Sequence, residues 1–359
     1  MFKIYQKYLI GIYTQKFIAI TIIFFFLIYI LGILEEISFS KNTNSDLYMP
    51  YLLTLLNSPI TLFEIFPFIF LITTQLLFYD VFQKNELVLL KRNGLSNFKI
   101  IKVLIIISFM IGIFNVFIYY NIASNLKYIY SDLKNNLSSD NRYLAMVNEN
   151  GLWIKDEINN KILITKANKV NDNYILGVII NEFNKDYDLA RTIQSDKVDI
   201  NSSTWKITNS TIIKDNVTSK ISEDIFINTN FDDDKIKSIF SDIVTLDLIK
   251  LYNLKKDYDK LGYSSNEIEL QIYKLYSMPF TYAIFSLLSS IIMLNFNRNT
   301  NFITLVLSGI LLSVVMYYMF FIFNSLGNNG TIPVIVSAFF PIVIIFIISL
   351  IGLVNINEK

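Results

Sequence analysis

The sequence contains no cysteine and no histidine, and only 17% of its 359 residues are charged. These absences exclude disulfide bonds, cysteine nucleophiles, histidine bases and histidine-ligated zinc. Lys and Arg number 31 and Asp and Glu number 30, so net charge does not favour nucleic acid as a partner. Hydrophobic residues make up 53% of the chain. A soluble chain is about a quarter charged, so this composition indicates a membrane protein.

The phosphate-binding loop GxxxxGK[ST] is also missing, because no glycine in the chain is followed by lysine. We therefore expect no ATP hydrolysis by this chain itself, and no catalytic residue, cofactor or metal ligand is predicted. Charge is scarce in the apolar stretches too, where Glu64 is the one charged residue. Because Glu64 lies near one end of its stretch, we expect its side chain to be a hydrogen-bonded polar group near the membrane interface or in a cavity. A role as a proton relay is the less favoured alternative.

Six apolar stretches are long enough to cross a membrane, which takes about 20 residues. They are Phe17–Leu34, Pro59–Tyr79, Val103–Ala123, Leu275–Phe296, Phe302–Leu326 and Thr331–Val354. The pattern predicts an α-helical membrane protein with six transmembrane helices in a 3+3 arrangement. Residues 1–123 would hold the first three helices, 124–274 an inserted domain, and 275–359 the last three.

The distribution of lysine and arginine predicts the orientation of these helices. The short loops on one side carry ten such residues, whereas those on the opposite side carry only Lys41. Because basic loops stay in the cytoplasm, both termini are predicted to be cytoplasmic and the large domain to lie outside the inner membrane.

The inserted domain is predicted to consist of short strands. These are residues 151–155, 161–165, 174–183, 204–208, 211–214 and 224–227, separated by Asn-, Asp- and Ser-rich turns. Their spacing is typical of a sandwich or an open barrel. Trp153 and Trp205 are expected in its core, and a helical return would lead to the fourth span.

The segment between the second and third spans is predicted to be a short cytoplasmic helix near residues 82–94. Gly94 fits the end of this helix, and Ser96 fits an N-cap for the next one. The pattern leaves two interpretations open: insertion into the groove of a partner, or contact with lipid headgroups. The residues on one helical face are Phe82, Glu86, Leu89, Leu90 and Asn93.

Residues 85–96, NELVLLKRNGLS, resemble the SELVVMRASGxS segment of lipopolysaccharide export permeases, the LptF/LptG (YjgP/YjgQ) family. The resemblance continues in order along the chain. It includes GLWIKD at 151–156, the Leu and Tyr pattern at 248–262, Tyr273-Lys274, Pro279, Arg298, Pro333 and Pro341. The Gly-Leu-Trp element and the short C-terminal tail are more similar to LptG than to LptF.

This resemblance implies a permease subunit of an ABC transporter that extracts lipopolysaccharide from the bacterial inner membrane. The implied partners are an LptB-type cytosolic ATPase dimer, an LptF-type permease subunit, and LptC-like and LptA-like periplasmic bridge proteins. The inserted domain would be a periplasmic β-jellyroll. The cytoplasmic helix would be the coupling helix, with Phe82, Glu86, Leu89, Leu90, Arg92 and Gly94 as its ATPase-coupling residues.

The family also implies that the first and fifth helices line the lateral access route of the lipid. Leu27 and Leu312 are the predicted contacts on these helices, and Ile164, or its neighbour Leu163, on an inward strand face. Where the family often has a basic residue for lipid phosphates, this chain has Glu35-Glu36, and Lys41 is the nearest match. Alternative functions are the export of another lipid or a lipoprotein, and a membrane-anchored sensor or assembly scaffold. An intramembrane enzyme fits the nearly uncharged spans poorly.

Overall fold

The computed structural model describes residues 3–43, 46–137, 152–158, 161–171, 173–185, 187–214, 217–221, 223–233, 236, 242–261, 264–295 and 302–357. The chain forms two compact units, which we call the bundle unit and the sheet unit. The bundle unit comprises Met1–Tyr130, Val244–Leu248 and Asn266–Lys359, and the sheet unit comprises the remaining residues.

The helices follow the apolar stretches but extend beyond most of them. Six are long and apolar enough to cross a membrane, which confirms the predicted 3+3 arrangement. The third of these is continuous from α4 through a π-helical turn at Asn115–Tyr119 into α5. The described helices are Ile4–Thr43 (α1), Met49–Gln83 (α2), Glu86–Arg92 (α3), Asn97–Phe114 (α4), Tyr120–Leu137 (α5), Leu248–Leu261 (α6), Asn266–Asn295 (α7), Phe302–Asn328 (α8) and Val334–Asn357 (α9).

Helices α2 and α7 form the centre of the bundle, whereas α1 and α8 are mostly exposed along their apolar stretches. α1 packs on α2 and α4, and α8 packs on α2, α7 and α9. Close packing in the centre depends on small residues: a Cβ on Gly112 of α4 would lie 2.8 Å from the Cα of Pro279 of α7. Small residues allow such approach because their backbones can nearly touch.

Buried hydroxyl groups tie three helices together inside the bundle. The Tyr13 hydroxyl of α1 lies 2.7 Å from the Ser108 hydroxyl of α4 and 3.0 Å from the Ser286 hydroxyl of α7. The two serine hydroxyls are themselves 2.7 Å apart. All three side chains are fully buried, and in hydrocarbon such groups need one another as hydrogen-bond partners.

The sheet unit contains an antiparallel sheet between the third and fourth spans, which confirms the predicted all-β insertion. The sequence pattern missed Leu189–Asp199 and Val217–Ile221. The described strands are Leu152–Ile158 (β1), Lys161–Asn171 (β2), Tyr174–Asn184 (β3), Leu189–Asp199 (β4), Thr204–Thr208 (β5), Ser210–Lys214 (β6), Val217–Ile221 (β7) and Ile225–Asn228 (β8). Their order is β1-β2-β3-β4-β5-β8, with β6 pairing with β4 and β7.

A buried carboxylate connects the two ends of this strand order. Asp156 of β1 accepts hydrogen bonds of 2.8 Å from both the backbone N–H and the side-chain amide of Asn230, which follows β8. The sheet therefore curls until its first strand meets the segment after its last. Trp205 of β5 is buried and donates a hydrogen bond to the Phe231 carbonyl (2.7 Å), as expected of a core tryptophan.

Candidate coupling and substrate sites

The short helix α3 is defined by its two ends. Asn85 precedes it in the left-handed conformation (φ 59°), and Gly94 follows it with φ 76°. The N–H groups of Gly94 and Leu95 donate to the carbonyls of Lys91 and Leu90, which is a Schellman ending. The Ser96 hydroxyl then accepts from the Lys99 N–H, which confirms the predicted N-cap of α4.

One side of α3 exposes apolar and basic side chains together. Leu87 is buried, but Val88 and Leu89 are 46% and 55% exposed. Of the predicted coupling residues, Leu89, Arg92 and Gly94 are exposed, whereas Phe82, Glu86 and Leu90 are half-buried. The exposed surface of α3, which also includes Val88 and Lys91, therefore differs in part from the face predicted by helical spacing.

Helix α1 meets α2 and α3 at the end of the bundle where α3 lies. The phenol of Tyr8 on α1 lies beside the Glu86 carboxylate. Lys16 of α1 forms an ion pair of 2.5 Å with Asp80 near the end of α2. Sequence reasoning missed both contacts, because their partners are more than 60 positions apart and no local pattern links them. The first contact connects α1 to α3, and the second connects α1 to α2.

The predicted lipid contacts lie on separate surfaces. Leu27 of α1 is 47% exposed and Leu312 of α8 is half-buried. Extensive packing between α1 and α8 is not found among the described residues, and both helices instead flank α2. Each helix presents a long apolar face outward. The exposed residues include Ile23, Phe26 and Ile30 on α1 and Leu311, Val315 and Tyr318 on α8.

The two glutamates at the far end of α1 have different environments. Glu35 and Lys41 are exposed, whereas Glu36 is buried. Glu36 accepts a 2.7 Å hydrogen bond from the Tyr130 hydroxyl, and the ammonium of Lys127 lies 4.4 Å from the Tyr130 ring centroid. Lys127 also donates to the Asn57 side chain of α2 (2.9 Å). Glu36 therefore belongs to a buried polar network that joins α1, α2 and α5.

A cavity of about 670 Å³ opens among α2, α7, α8 and the start of α9. Glu64 lines this cavity. A location in a cavity was one of the two environments predicted for its side chain. Lys274 of α7 lines it as well, together with hydroxyl, amide and many apolar side chains. Leu27 and Leu312 are not among its lining residues.

In the sheet unit, Leu163 rather than Ile164 faces the buried side of the sheet. Leu163 pairs with Glu182 and Asp156, which are buried too, while Ile164 is half-buried on the opposite face. The expectation that Trp153 belongs to the core is wrong. Its side chain is 47% exposed, on the face opposite Leu152 and Ile154, with Lys166 over its ring.

An ion cluster lies on the three neighbouring strands β2, β3 and β4. The Glu182 carboxylate accepts hydrogen bonds from Lys161 and from Arg191, the latter at 2.5 Å. Burial alone would raise the pKa of Glu182, but these two cations outweigh it and hold the pKa below its usual value. Across the described ranges, no group of three or more acidic side chains is arranged to hold a metal ion.

Comparison with known proteins agrees with this architecture. A search of curated protein sequences gives no significant match. The family model for the lipopolysaccharide export system permease LptF/LptG, in contrast, matches residues 7–355, which is nearly the whole chain. With six apolar helices, this match indicates a multi-pass protein of the inner membrane. The chain belongs to the LptF/LptG family of lipopolysaccharide export permeases.

Proposed function

We propose that this chain is the transmembrane subunit of an ABC-type exporter that extracts lipopolysaccharide from the inner membrane. A separate LptB-type ATPase dimer would supply the energy, and a second permease subunit of the LptF type would complete the membrane channel. The sheet unit would pass the lipid to LptC-like and LptA-like bridge proteins in the periplasm. Both chain termini would be cytoplasmic, as the distribution of basic residues predicts.

The exposed surface of α3 is the observation that carries this proposal. Val88 and Leu89 expose apolar area next to Lys91 and Arg92, on a helix whose two ends are fixed by Asn85 and Gly94. A rigid helix with an apolar centre and charged flanks suits insertion into the groove of another protein. Because the chain has no phosphate-binding loop, a partner must hydrolyse the ATP.

The apolar faces of α1 and α8 support the transport route. An acyl chain exposed to water costs about 0.8 kcal/mol per methylene group, so a lipid path needs continuous apolar walls. The outward faces of α1 and α8 supply such walls, and Leu27 and Leu312 remain the proposed contact positions on these helices. Lys41 and Ile164 are weaker candidates, and the buried sheet face suggests Leu163 beside Ile164.

The test is co-purification of the permease with its candidate ATPase. Leu89→Asp places a charge at the centre of the exposed α3 surface without affecting a buried residue, and should abolish co-purification and transport. Ile4→Asp adds the same charge at an exposed apolar position of α1, outside the segment 82–94, and should leave both unchanged. Normal ATPase binding by Leu89→Asp would show that α3 is not the docking element.

The identity of the lipid requires a second measurement on the wild-type complex. Mass spectrometry of lipid retained after purification should detect lipopolysaccharide. Photo-crosslinking groups at positions 27 and 312 should capture the same glycolipid. Capture of another lipid or a lipoprotein, with ATPase binding intact, would keep the coupling proposal and replace the substrate.

A further inference from the structure

Helix α6 has a buried face and an exposed face, and the exposed face is partly apolar. Leu248, Leu251 and Leu254, which repeat every three residues, are buried. On the opposite face the side chain of Ile249 is 75% exposed and that of Tyr252 is 42% exposed. A helix between a protein core and water normally has charged and polar residues on its outer face, so these two side chains indicate a different surrounding.

Basic side chains accompany the two apolar residues of this face. Lys250 and Lys256 are exposed, and Lys256 lies two helical turns after the exposed isoleucine, on the same side of the helix. Of the two acidic residues of α6, Asp257 is half-buried, and Asp259 accepts a 2.8 Å hydrogen bond from the Ser265 hydroxyl. Apolar and basic residues on one helical face are typical of helices that lie on an anionic membrane surface.

Two hydrogen bonds fix the depth at which α6 begins. The Tyr120 hydroxyl donates to the Leu246 carbonyl (3.1 Å), two residues before the helix, and accepts from the side-chain amide of Gln271 (3.3 Å). Tyr120 lies three residues before the end of the third apolar stretch, and Gln271 lies four residues before the start of the fourth. Because these two ends lie on the same side of the membrane, the Leu246 carbonyl lies at that boundary of the hydrocarbon.

This depth places the beginning of α6 close to the lipid headgroups. Ile249 follows Leu246 by three residues, which reach at most about 11 Å even when fully extended. Ile249 therefore cannot lie far beyond the headgroup layer, which is about 5–8 Å thick on each side of the hydrocarbon core. Exposed tyrosine at this level is a common anchor of membrane proteins at the interface, and Tyr252 follows within one turn.

We propose that the exposed face of α6, formed by Ile249, Lys250, Tyr252, Asn253 and Lys256, binds the headgroups of anionic glycerophospholipids. The isoleucine and the tyrosine enter the boundary between headgroups and acyl chains, and the two lysines contact the lipid phosphates. A zwitterionic headgroup would bring its own cation next to these lysines, so an anionic headgroup is preferred. The contact depends on the membrane spans and not on the identity of the transported lipid.

The test uses the full-length chain, without an ATPase, in nanodiscs of phosphatidylcholine and phosphatidylglycerol in equal amounts. Because the chain contains no cysteine, Ile249→Cys carries a single fluorophore. A nitroxide near the top of one acyl chain quenches it, on phosphatidylglycerol in one sample and on phosphatidylcholine in the other. Quenching should be about fivefold stronger with the labelled phosphatidylglycerol, which is the effect of one lysine near an anionic surface.

Matched variants test the role of the lysines. Lys250→Gln combined with Lys256→Gln should be quenched equally by the two labelled lipids. Lys214→Gln combined with Lys220→Gln removes two exposed lysines of the same unit outside α6, and should keep the preference for phosphatidylglycerol. A fluorophore at Leu311→Cys, on the exposed apolar face of α8, should be quenched without any headgroup preference.

Two results would overturn the proposal. The first is the absence of quenching at position 249, which would mean that this face of α6 does not meet the membrane. The second is equal quenching by the two labelled lipids with both lysines present, which would mean that α6 touches lipid without binding anionic headgroups. Asn253→Cys repeats the measurement at an exposed polar position of the same face, so the test remains decisive if Ile249→Cys does not fold.

Discussion

The Tyr130 hydroxyl donates a hydrogen bond to the Glu36 carboxylate, with 2.7 Å between the two oxygens. Both side chains are buried, and they join the far end of α1 to α5. An acidic residue at this position looks unsuited to a protein that handles anionic lipids. Its contact with Tyr130 instead ties α1, whose apolar face is otherwise exposed, to α5.

Replacement of Tyr130 by phenylalanine should therefore destabilise the bundle unit. The change removes one donor from a buried carboxylate, which costs about 1.5–3 kcal/mol for a charged acceptor. Thermal unfolding of the full chain in detergent measures the effect. Tyr51→Phe removes an exposed hydroxyl from α2 at the same end of the bundle and should change little. Equal shifts in the two variants would mean that the Tyr130 contact adds no stability.

Two glycines in the bundle should respond oppositely to alanine. Gly112→Ala would bring a Cβ within 2.8 Å of the Pro279 backbone, and such overpacking costs about 1–3 kcal/mol. Gly11→Ala meets no atom within 4 Å and gains up to about 1 kcal/mol of helix propensity. The measurement is again thermal unfolding in detergent, and a stable Gly112→Ala would contradict the close packing of α4 on α7.

The stability of the sheet unit should fall in acid because of Glu182. The folded-state pKa of Glu182 lies below its usual value of about 4.3. The ion cluster therefore contributes fully above that value and is lost as the pH falls through the folded-state pKa. Both tryptophans of the chain, Trp153 and Trp205, lie in the sheet unit, so tryptophan fluorescence follows its unfolding selectively in the intact protein.

Glu182→Gln should weaken this acid dependence as the pH falls below about 4.3, the usual pKa of a glutamate. Glu223→Gln changes an exposed carboxylate of the same unit and serves as the control. If the acid dependence persists unchanged in Glu182→Gln, other carboxylates of the unit are responsible.

The contact between Tyr8 and Glu86 should contribute to ATPase coupling. In a double-mutant cycle of Tyr8→Phe and Glu86→Gln, residues in direct contact show a coupling of about 0.5–3 kcal/mol. The measured quantity is the affinity of the permease for its ATPase. The pair Tyr5→Phe and Glu86→Gln is the control cycle and should be additive. Additive effects in the first cycle as well would mean that α1 does not position Glu86.

The lack of native cysteine allows a direct test of orientation. Asn201→Cys in the sheet unit should react with a membrane-impermeant maleimide on intact spheroplasts. Asn93→Cys, next to α3, should react only after lysis. Both positions are exposed, so accessibility within the protein does not differ between them. The reverse pattern would overturn the predicted topology and the direction of transport with it.

Local features of the fold could be predicted from the sequence, because neighbouring residues determine them. Gly94 and Ser96 end one helix and begin the next through hydrogen bonds within six positions. The six spans could be predicted because each needs only an apolar stretch of sufficient length. Strand β4 was missed because its sequence, LARTIQSDKVD, is largely polar and is held by pairing with β3, β5 and β6.

Features that depend on distant partners could not be predicted. The choice between Leu163 and Ile164 depends on strand register, since a shift of one residue reverses the face. Trp153 is exposed because its position in β1 alternates with the buried Leu152 and Ile154. The role of Glu36 follows from Tyr130, which is 94 positions away, and no pattern in the sequence links the two.

The bond between Asp156 and Asn230 affects the order of events during synthesis. These residues are 74 positions apart, and contacts of such long range form late and slowly. The sheet cannot close until Asn230 has been synthesised and, in the proposed topology, has crossed the membrane. In that topology the preceding strands would reach the far side before their fold is complete, so translocation would not have to unfold a finished domain.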